Sequence, residues 1–216
     1  MMDRYESILI IGPTGSGKTP LGDLIERKGL WDRRCFHFDF GLNLRNIGAQ
    51  GVQPPGFSKD DFSIIQNSLK TGKLLGNKDF HIARKIFRVF RNSRHIDMDD
   101  LVILNGLPRH VGQADDVGGF LNIILAVYLE CPLAVAYERI RLNTGGDRFD
   151  RVDDADEAVK NRLSIFKEQT LPLLEYYRKK GICVKSIEID VNTEPKDILF
   201  NINRLKPERG SMPYGM

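Results

Sequence analysis

Cysteine is scarce in this chain of 216 residues. Cys35, Cys131 and Cys183 are odd in number, far apart and without C-x-x-C spacing. That pattern excludes a disulfide framework and a zinc set, and predicts reduced thiols in a cytoplasmic protein. His81, His95 and His110 offer no metal-ligand spacing either. An excess of one charge is also missing. The 32 Lys and Arg residues against 29 Asp and Glu leave a net charge of +3, which does not by itself argue for nucleic acid but suits an anionic ligand. Long hydrophobic runs are absent: the most membrane-like stretch, 120–137, is broken by Glu130 and Pro132, so strand, turn and helix are expected there in place of a membrane span. Met-Met-Asp-Arg-Tyr-Glu leads straight into the first expected strand, so no signal peptide is expected. There is no internal repeat or low-complexity tract. What remains, 41% hydrophobic and 28% charged residues, is the composition of an ordinary globular protein long enough to bury a full core. One α/β domain with a modest insertion fits that length.

What the chain does have is concentrated at 7–19. Ile8 to Ile11 make a short apolar run, enough for one buried strand, and Gly12 to Thr19 then read G-x-x-x-x-G-K-T. Gly12, Gly15 and Gly17 let the backbone curl so that successive N–H groups point inward at phosphate oxygens. Lys18 supplies a point charge for the outer phosphates, and the Thr19 hydroxyl can ligate Mg²⁺. A helix starting near Lys18 turns its positive end to the same anion. The motif sits between an expected strand and an expected helix, the context that its chemistry requires.

Apolar runs alternate with helical patterns along the rest of the chain, which predicts a parallel sheet flanked by helices. Strands are expected at 7–11, 35–40, 101–104, 123–129 and 183–189. Helices are expected at 18–28, 59–69, 78–92, 132–142, from Asp154 through Phe166, on to Lys180 after an interruption at Pro172, and at 195–205. Asp154 and Glu157 make a capping-box-like start. Residues 41–75 are polar and rich in turn residues around the one short helix, and read as an inserted subdomain or flap. The helix at 78–92 carries Ile82, Ile86, Phe87 and Phe90 on one side and Arg84, Lys85, Arg88, Arg91 and Arg94 around the rest. A nucleic-acid surface would look like this; the apolar stripe favours a core helix with a solvated basic face.

Ligands of a parallel sheet sit beyond the carboxyl ends of its strands. Those ends carry the phosphate loop, Asp39, Asn105 to Arg109, and a glycine- and charge-rich loop at 143–154. Arg45, Arg109, Arg139, Arg148, Arg151 and Arg162 all follow strand ends or flank that loop. Phosphoryl transfer spreads negative charge over several oxygens, and arginine forks clamp such oxygens. With a phosphate loop in the same chain, they favour a transferase over a simple binder.

Gly-Pro-Thr-Gly-Ser-Gly-Lys-Thr at 12–19, Gly41 with Arg45, and Gly72 with Leu74-Leu75 are followed by Gly-Leu-Pro-Arg-His-Val-Gly-Gln at 106–113. Arg-Val-Asp-Asp-Ala-Asp-Glu-Ala-Val-Lys-Asn-Arg-Leu at 151–163, Thr170, Pro172, Tyr176-Tyr177 and Gly181 complete the series. In this order, over nearly the whole chain, it resembles the adenylate kinase branch of the nucleoside monophosphate kinases.

The resemblance implies a P-loop NTPase three-layer α/β sandwich with a five-stranded parallel sheet of order 2-3-1-4-5. It implies a core of 1–40, 76–142 and 155–205, a monophosphate-binding insertion at 41–75 and a short lid at 143–154; the tail, 206–216, is expected to fray. By the same resemblance, Gly12, Pro13, Thr14, Gly15, Ser16, Gly17, Lys18, Thr19 and Arg139 bind ATP, Arg139 also covering its adenine. A loop near 192–195 borders that adenine. Gly41, Arg45, Gly106 and Arg109 hold the acceptor monophosphate and Gln113 reads its base. Lys18, Arg109, Arg139, Arg151 and Arg162 are the implied catalytic set; Thr19, from the phosphate-loop motif, and Asp39, which departs from the family pattern, are the candidate metal positions. The implied activity is transfer of the ATP γ-phosphoryl group to a nucleoside monophosphate, AMP foremost, with Mg²⁺, by a cytoplasmic monomer with no nucleic-acid or membrane partner.

Four departures from the family pattern matter. Asp39-Phe40-Gly41-Leu42 stands where the family usually reads Ser-Thr-Gly-Asp, and Asn105 where it has a carboxylate that orients hydrated Mg²⁺. Thr19-Pro20 replaces Gly-Thr after the lysine, and Asn143 falls where an arginine is expected, with Arg141 and Arg148 nearby as substitutes. Asp39 can replace the lost carboxylate, act as general base for a hydroxylated metabolite, or cap the following turn. Two other functions therefore stay open: a P-loop kinase for a small hydroxylated metabolite, and a nucleotide-binding module with weak or no transfer.

Overall fold

The computed structural model describes residues 4–49, 53, 55–146 and 156–206. Five strands, β1 (Tyr5–Ile11), β2 (Cys35–Asp39), β3 (Leu101–Asn105), β4 (Leu121–Glu130) and β5 (Cys183–Glu188), form one sheet in the order β2-β3-β1-β4-β5. Every pairing is parallel, as the sequence pattern and the resemblance predict. β1 lies at the centre and is buried on both faces, which its unbroken apolar run requires. Leu9 and Ile11 face one side and Ile8 and Ile10 the other.

Helix α1 (Lys18–Lys28) grows directly out of the loop after β1 and packs Leu21 and Ile25 on the Ile8–Ile10 face. The opposite face is covered by aromatic and aliphatic side chains of the helices that follow. Helices α2 (Phe40–Ala49) and α3 (Lys59–Thr71) form the insertion, and α4 (Phe80–Arg94) returns the chain to the core with Ile82, Ile86, Phe87 and Phe90 buried. Then come α5 (Val111–Gly118), α6 (Leu133–Leu142), α7 (Asp156–Ile165), a π-helical turn at Phe166–Thr170, α8 (Leu173–Lys179) and α9 (Pro195–Asn203). Ile198, Leu199 and Ile202 of α9 join the α1 side, so helices cover both faces of the sheet.

The structure corrects the sequence reading in three places. Phe40 does not end β2; it opens α2, whose buried Phe40, Leu44 and Ile47 lie at i, i+4 and i+7. Packing overrides the low helix propensity of Gly41 and Gly48 there, and Gly48 lets Leu69 of α3 approach to 2.3 Å from where a Cβ would stand. A helix not expected from sequence, α5, buries Gln113, Ala114 and Val117. The helix break near Pro172 is a π turn before the proline. Although Arg84, Arg88 and Arg94 of α4 are exposed as expected, several cations of that face also make specific contacts. Arg84 lies over the Phe120 ring at 5.4 Å, Arg94 over Phe36 at 5.4 Å and Arg91 over Tyr5 at 5.9 Å. Arg94 also pairs with Glu26, and Lys85 bonds Asp61 at 2.7 Å. These cations lie over aromatic rings or pair with acids while staying in contact with solvent.

Cys35, Cys131 and Cys183 are free, and burial pushes the Cys35 thiol up to about 12. Among the described residues no helix is long and apolar enough to cross a membrane.

Candidate active site

Register sets the site. Ile10 pairs with Asn105 of β3 and with Val127 of β4, and Asp39 pairs with Asn105, so the carboxyl ends of the central strands open side by side. The phosphate loop leaves β1 at that edge. Gly15 and Gly17 take φ of 86° and 91°, which turns the loop, and a Cβ on Gly15 would meet the Ala136 carbonyl at 2.6 Å. Lys18 Nζ folds over the loop and donates to the Gly12 and Pro13 carbonyls at 2.7 and 2.6 Å. The lysine charge is thus held over the phosphate loop.

Beside it lies a buried polar network. Thr19 Oγ1 donates to Asp39 Oδ2 at 2.9 Å, Asn105 Nδ2 donates to the same oxygen at 2.9 Å, and the Leu42 N–H donates to Asp39 Oδ1 at 2.8 Å. Asn105 also lies 3.1 Å from Thr19 Oγ1 and 3.5 Å from His37 Nε2. His37 Nδ1 meets Asp23 at 2.8 Å, and the His37 N–H donates to Glu26 at 2.6 Å. Asp39 therefore caps the start of α2, as one sequence reading held, while the same carboxylate meets the phosphate-loop threonine. His37 is a buried strand residue held by α1; Asp23 and Glu26, its partners, carry no local sequence signal because the fold alone brings them there.

One cleft extends from Gly12, Gly15 and Lys18 across Asp39 and Asn105 to Arg45, Arg109 and Gln113. Thus Gly12, Thr14, Gly15, Gly17, Lys18, Thr19, Gly41, Gly106, Arg139 and Arg162 all line it as well. Pro13 and Ser16 are buried in the phosphate loop behind that lining. Arg148, Arg151, Asp154 and most of the expected lid lie outside the described residues, as do 207–216 of the tail.

The two arginine groups are held differently. Arg139 is buried; its Nε donates to Gly15 O at 3.1 Å and its Nη1 to the carbonyls of Asp190, Val191 and Thr193 at 2.7, 3.0 and 3.0 Å. It ties the phosphate loop to the loop after β5. Arg109 has its peptide fixed instead: its N–H donates to Gln113 Oε1 at 2.9 Å and its carbonyl accepts from Thr170 Oγ1 at 2.8 Å. Lost hydration lowers the proton affinity of the Arg109 guanidinium, the nearby Arg162 charge lowers it further, and the Asp39 carboxylate opposes both. Two guanidiniums that repel one another at a cleft wall make a site for an anion. Gln113 Nε2 donates to Leu75 O at 2.9 Å, so both ends of its amide engage main chain. Thr170 entered the sequence reading only through the resemblance; its spacing of four from Phe166 and of eight from Arg162 was the available signal.

No protein-family model matches the chain. Curated relatives do. The adenylate kinase of Prochlorococcus marinus is 30% identical over 202 residues, covering 89% of this chain and 97% of that protein. The adenylate kinase of Azobacteroides pseudotrichonymphae is 31% identical over 200 residues, covering 91% and 94%. UMP-CMP kinase 1 of Oryza sativa subsp. japonica is 24% identical over 204 residues, covering 92% of this chain and 72% of that protein. Likeness at that level along almost the full length of two adenylate kinases, on a sheet of the expected order, makes this chain a member of the adenylate kinase family and a phosphotransferase of the nucleoside monophosphate kinase class.

Proposed function

We propose that this phosphotransferase moves the γ-phosphoryl group of ATP to a nucleoside monophosphate, with AMP as the first acceptor and Mg²⁺ accompanying the ATP. The observation that carries the reading is the single cleft joining Gly15 and Lys18 to Arg45 and Arg109. Relatives named adenylate kinase support AMP, and the one named UMP-CMP kinase keeps pyrimidine monophosphates in the test.

The acceptor phosphate oxygen is already a nucleophile, so the protein needs no general base. Its task is positioning and charge. Loop N–H groups and Lys18 hold the ATP phosphates. Arg45 and Arg109 clamp the acceptor phosphate and Arg162 serves the transferred group; Arg151, outside the described residues, keeps the same role only as the resemblance implies. Arg139 keeps the phosphate loop and the adenine-side loop in register. Base selection is assigned to Gln113, whose amide can donate and accept more than the one bond it makes at each end, together with the apolar wall of Phe40, Leu44 and Leu75. A single carboxylate, Asp39, beside the Thr19 hydroxyl suits a hard cation that keeps its waters and is held largely through phosphate oxygens. When bound, that cation neutralises charge on the phosphate oxygens. The reading keeps the expectations of a cytoplasm and a monomer.

Asp39 speaks against a hydroxylated metabolite as acceptor, since its oxygens already accept from Thr19, Asn105 and the Leu42 N–H. A coupled ADP-release assay with ATP, Mg²⁺ and a panel of AMP, CMP, UMP, GMP, dTMP and hydroxylated metabolites tests the reading, with Lys18→Ala as blank. Release with a monophosphate, absent in the blank, is expected. Release only with a metabolite, or none with any acceptor, overturns it.

A further inference from the structure

The helix that carries Arg162 widens just after it. At Phe166–Thr170 the turn is π-helical, and the Leu171 N–H donates to the Phe166 carbonyl at 2.8 Å, five residues back. Over eight residues an ordinary helix would carry the side chain about 80° round from its start, and a turn that takes in one more residue brings it back toward the same face. Arg162, Phe166 and Thr170 stand four apart, and all three line the cleft. The widened turn delivers Thr170 inward.

What Thr170 does there is specific. A helical threonine ordinarily bonds a carbonyl three or four residues back in its own helix. The Thr170 hydroxyl, buried, instead donates at 2.8 Å to the carbonyl of Arg109, 61 residues away. The other face of the same residue is held by Gln113, which accepts from the Arg109 N–H and donates to Leu75 O. Arg109 follows β3 on a connecting segment ahead of α5, and the polar groups of its main chain are satisfied by two buried side chains. A guanidinium on a long flexible stem meets a phosphate in one geometry only when its own backbone is fixed. The chain Leu75–Gln113–Arg109–Thr170 also joins the root of the insertion to the helical run that bears Arg162.

We propose that Thr170 is a positioning residue for phosphoryl transfer, its hydroxyl and the π turn fixing the Arg109 main chain and thereby the place where that guanidinium meets the acceptor phosphate. The proposal rests on the reading of Arg109 as an acceptor-phosphate ligand. It differs from a stability role because it acts on the acceptor and not on ATP.

The test is steady-state transfer by the full chain, with acceptor titrated at saturating ATP and ATP titrated at saturating acceptor. Thr170→Val removes the hydroxyl at nearly constant volume and is expected to lower kcat/KM for the acceptor about tenfold, with the KM for ATP changed less than about twofold. Thr170→Ser keeps the hydroxyl and is expected to stay within about threefold of the parent. In an Arg109→Lys background, Thr170→Val is expected to cost less than about twofold more, since the guanidinium it positions is gone. Thr170→Ala serves the same comparison if the valine variant does not fold. Equal losses for ATP and acceptor, no loss, full additivity with Arg109→Lys, or failure of serine to rescue would each overturn the proposal. If Arg109→Lys itself leaves the acceptor constants unchanged, the assignment of Arg109 falls first; if it impairs them while Thr170→Val does not, only the role of Thr170 falls.

Discussion

Replacing Asn105 with aspartate puts a second carboxylate where the structure has an amide donor. Asn105 Nδ2 donates to Asp39 Oδ2 at 2.9 Å, and both residues are buried, at 4% and 8% exposure. In Asn105→Asp two anionic oxygens face each other at about that separation, for a repulsion of about 6 kcal/mol at an effective dielectric of about 20. The pair escapes part of this by keeping one proton. Holding a proton at pH 7 on a carboxyl that ordinarily titrates near 4 costs about 4 kcal/mol, which caps the loss of stability. The sign follows from linkage. The pair's folded pKa is raised above its unfolded value, so the penalty is absent near pH 4 and grows by about 1.4 kcal/mol per pH unit until the folded pKa is reached. Urea unfolding of parent and variant at pH 5, 6 and 7 measures it. The gap is expected to widen with pH toward about 4 kcal/mol, and added Mg²⁺ is expected to narrow it at pH 7. A gap below about 1 kcal/mol that ignores pH would refute the Asp39–Asn105 contact and the site built on it.

Two further outcomes follow from packing and charge. In Gly22→Ala the new Cβ would stand 2.4 Å from the His37 ring, which Asp23 pins from the other side; a loss of about 1–3 kcal/mol in urea unfolding is expected, and an unchanged midpoint would contradict the α1–β2 contact. Asp61, buried at the start of α3, would be raised by desolvation, but bonds from Lys85, the Ser58 N–H and His81 outweigh this and hold its carboxyl well below the usual range. A depressed folded pKa stabilises above the unfolded value near 4 and is lost on acidification. Asp61→Asn is therefore expected to cost about 1–3 kcal/mol at pH 7, with the gap to the parent closing as pH falls below about 4; a gap that is constant with pH would remove the charge from the explanation.

The phosphate loop was legible because local spacing encodes it: an apolar run, a glycine pattern and a lysine need only the neighbouring residues, whereas the strand order came from the family resemblance alone. Helix α2 was hidden by Gly41 and Gly48, which signal turns in isolation, although Phe40, Leu44 and Ile47 already had helical spacing. α5, with eight residues and glycines at Gly112 and Gly118, offered little more than two turns of pattern. In the site, the identity of Asp39 as an unusual residue was readable, but its partners were not. Sheet register brings Asp39 to Asn105 across 66 residues, and no spacing in the chain states a register. Gln113 bonds the main chain of Arg109 and Leu75, contacts that no local spacing states because they depend on where the insertion ends against α5.

The central claim concerns where the γ-phosphoryl group goes. ATP radiolabelled at its γ-phosphate, incubated with AMP, Mg²⁺ and the protein, is expected to yield label in the β-position of ADP, and none with Lys18→Ala. Label recovered only as inorganic phosphate, or left in ATP whichever monophosphate is supplied, would contradict the account.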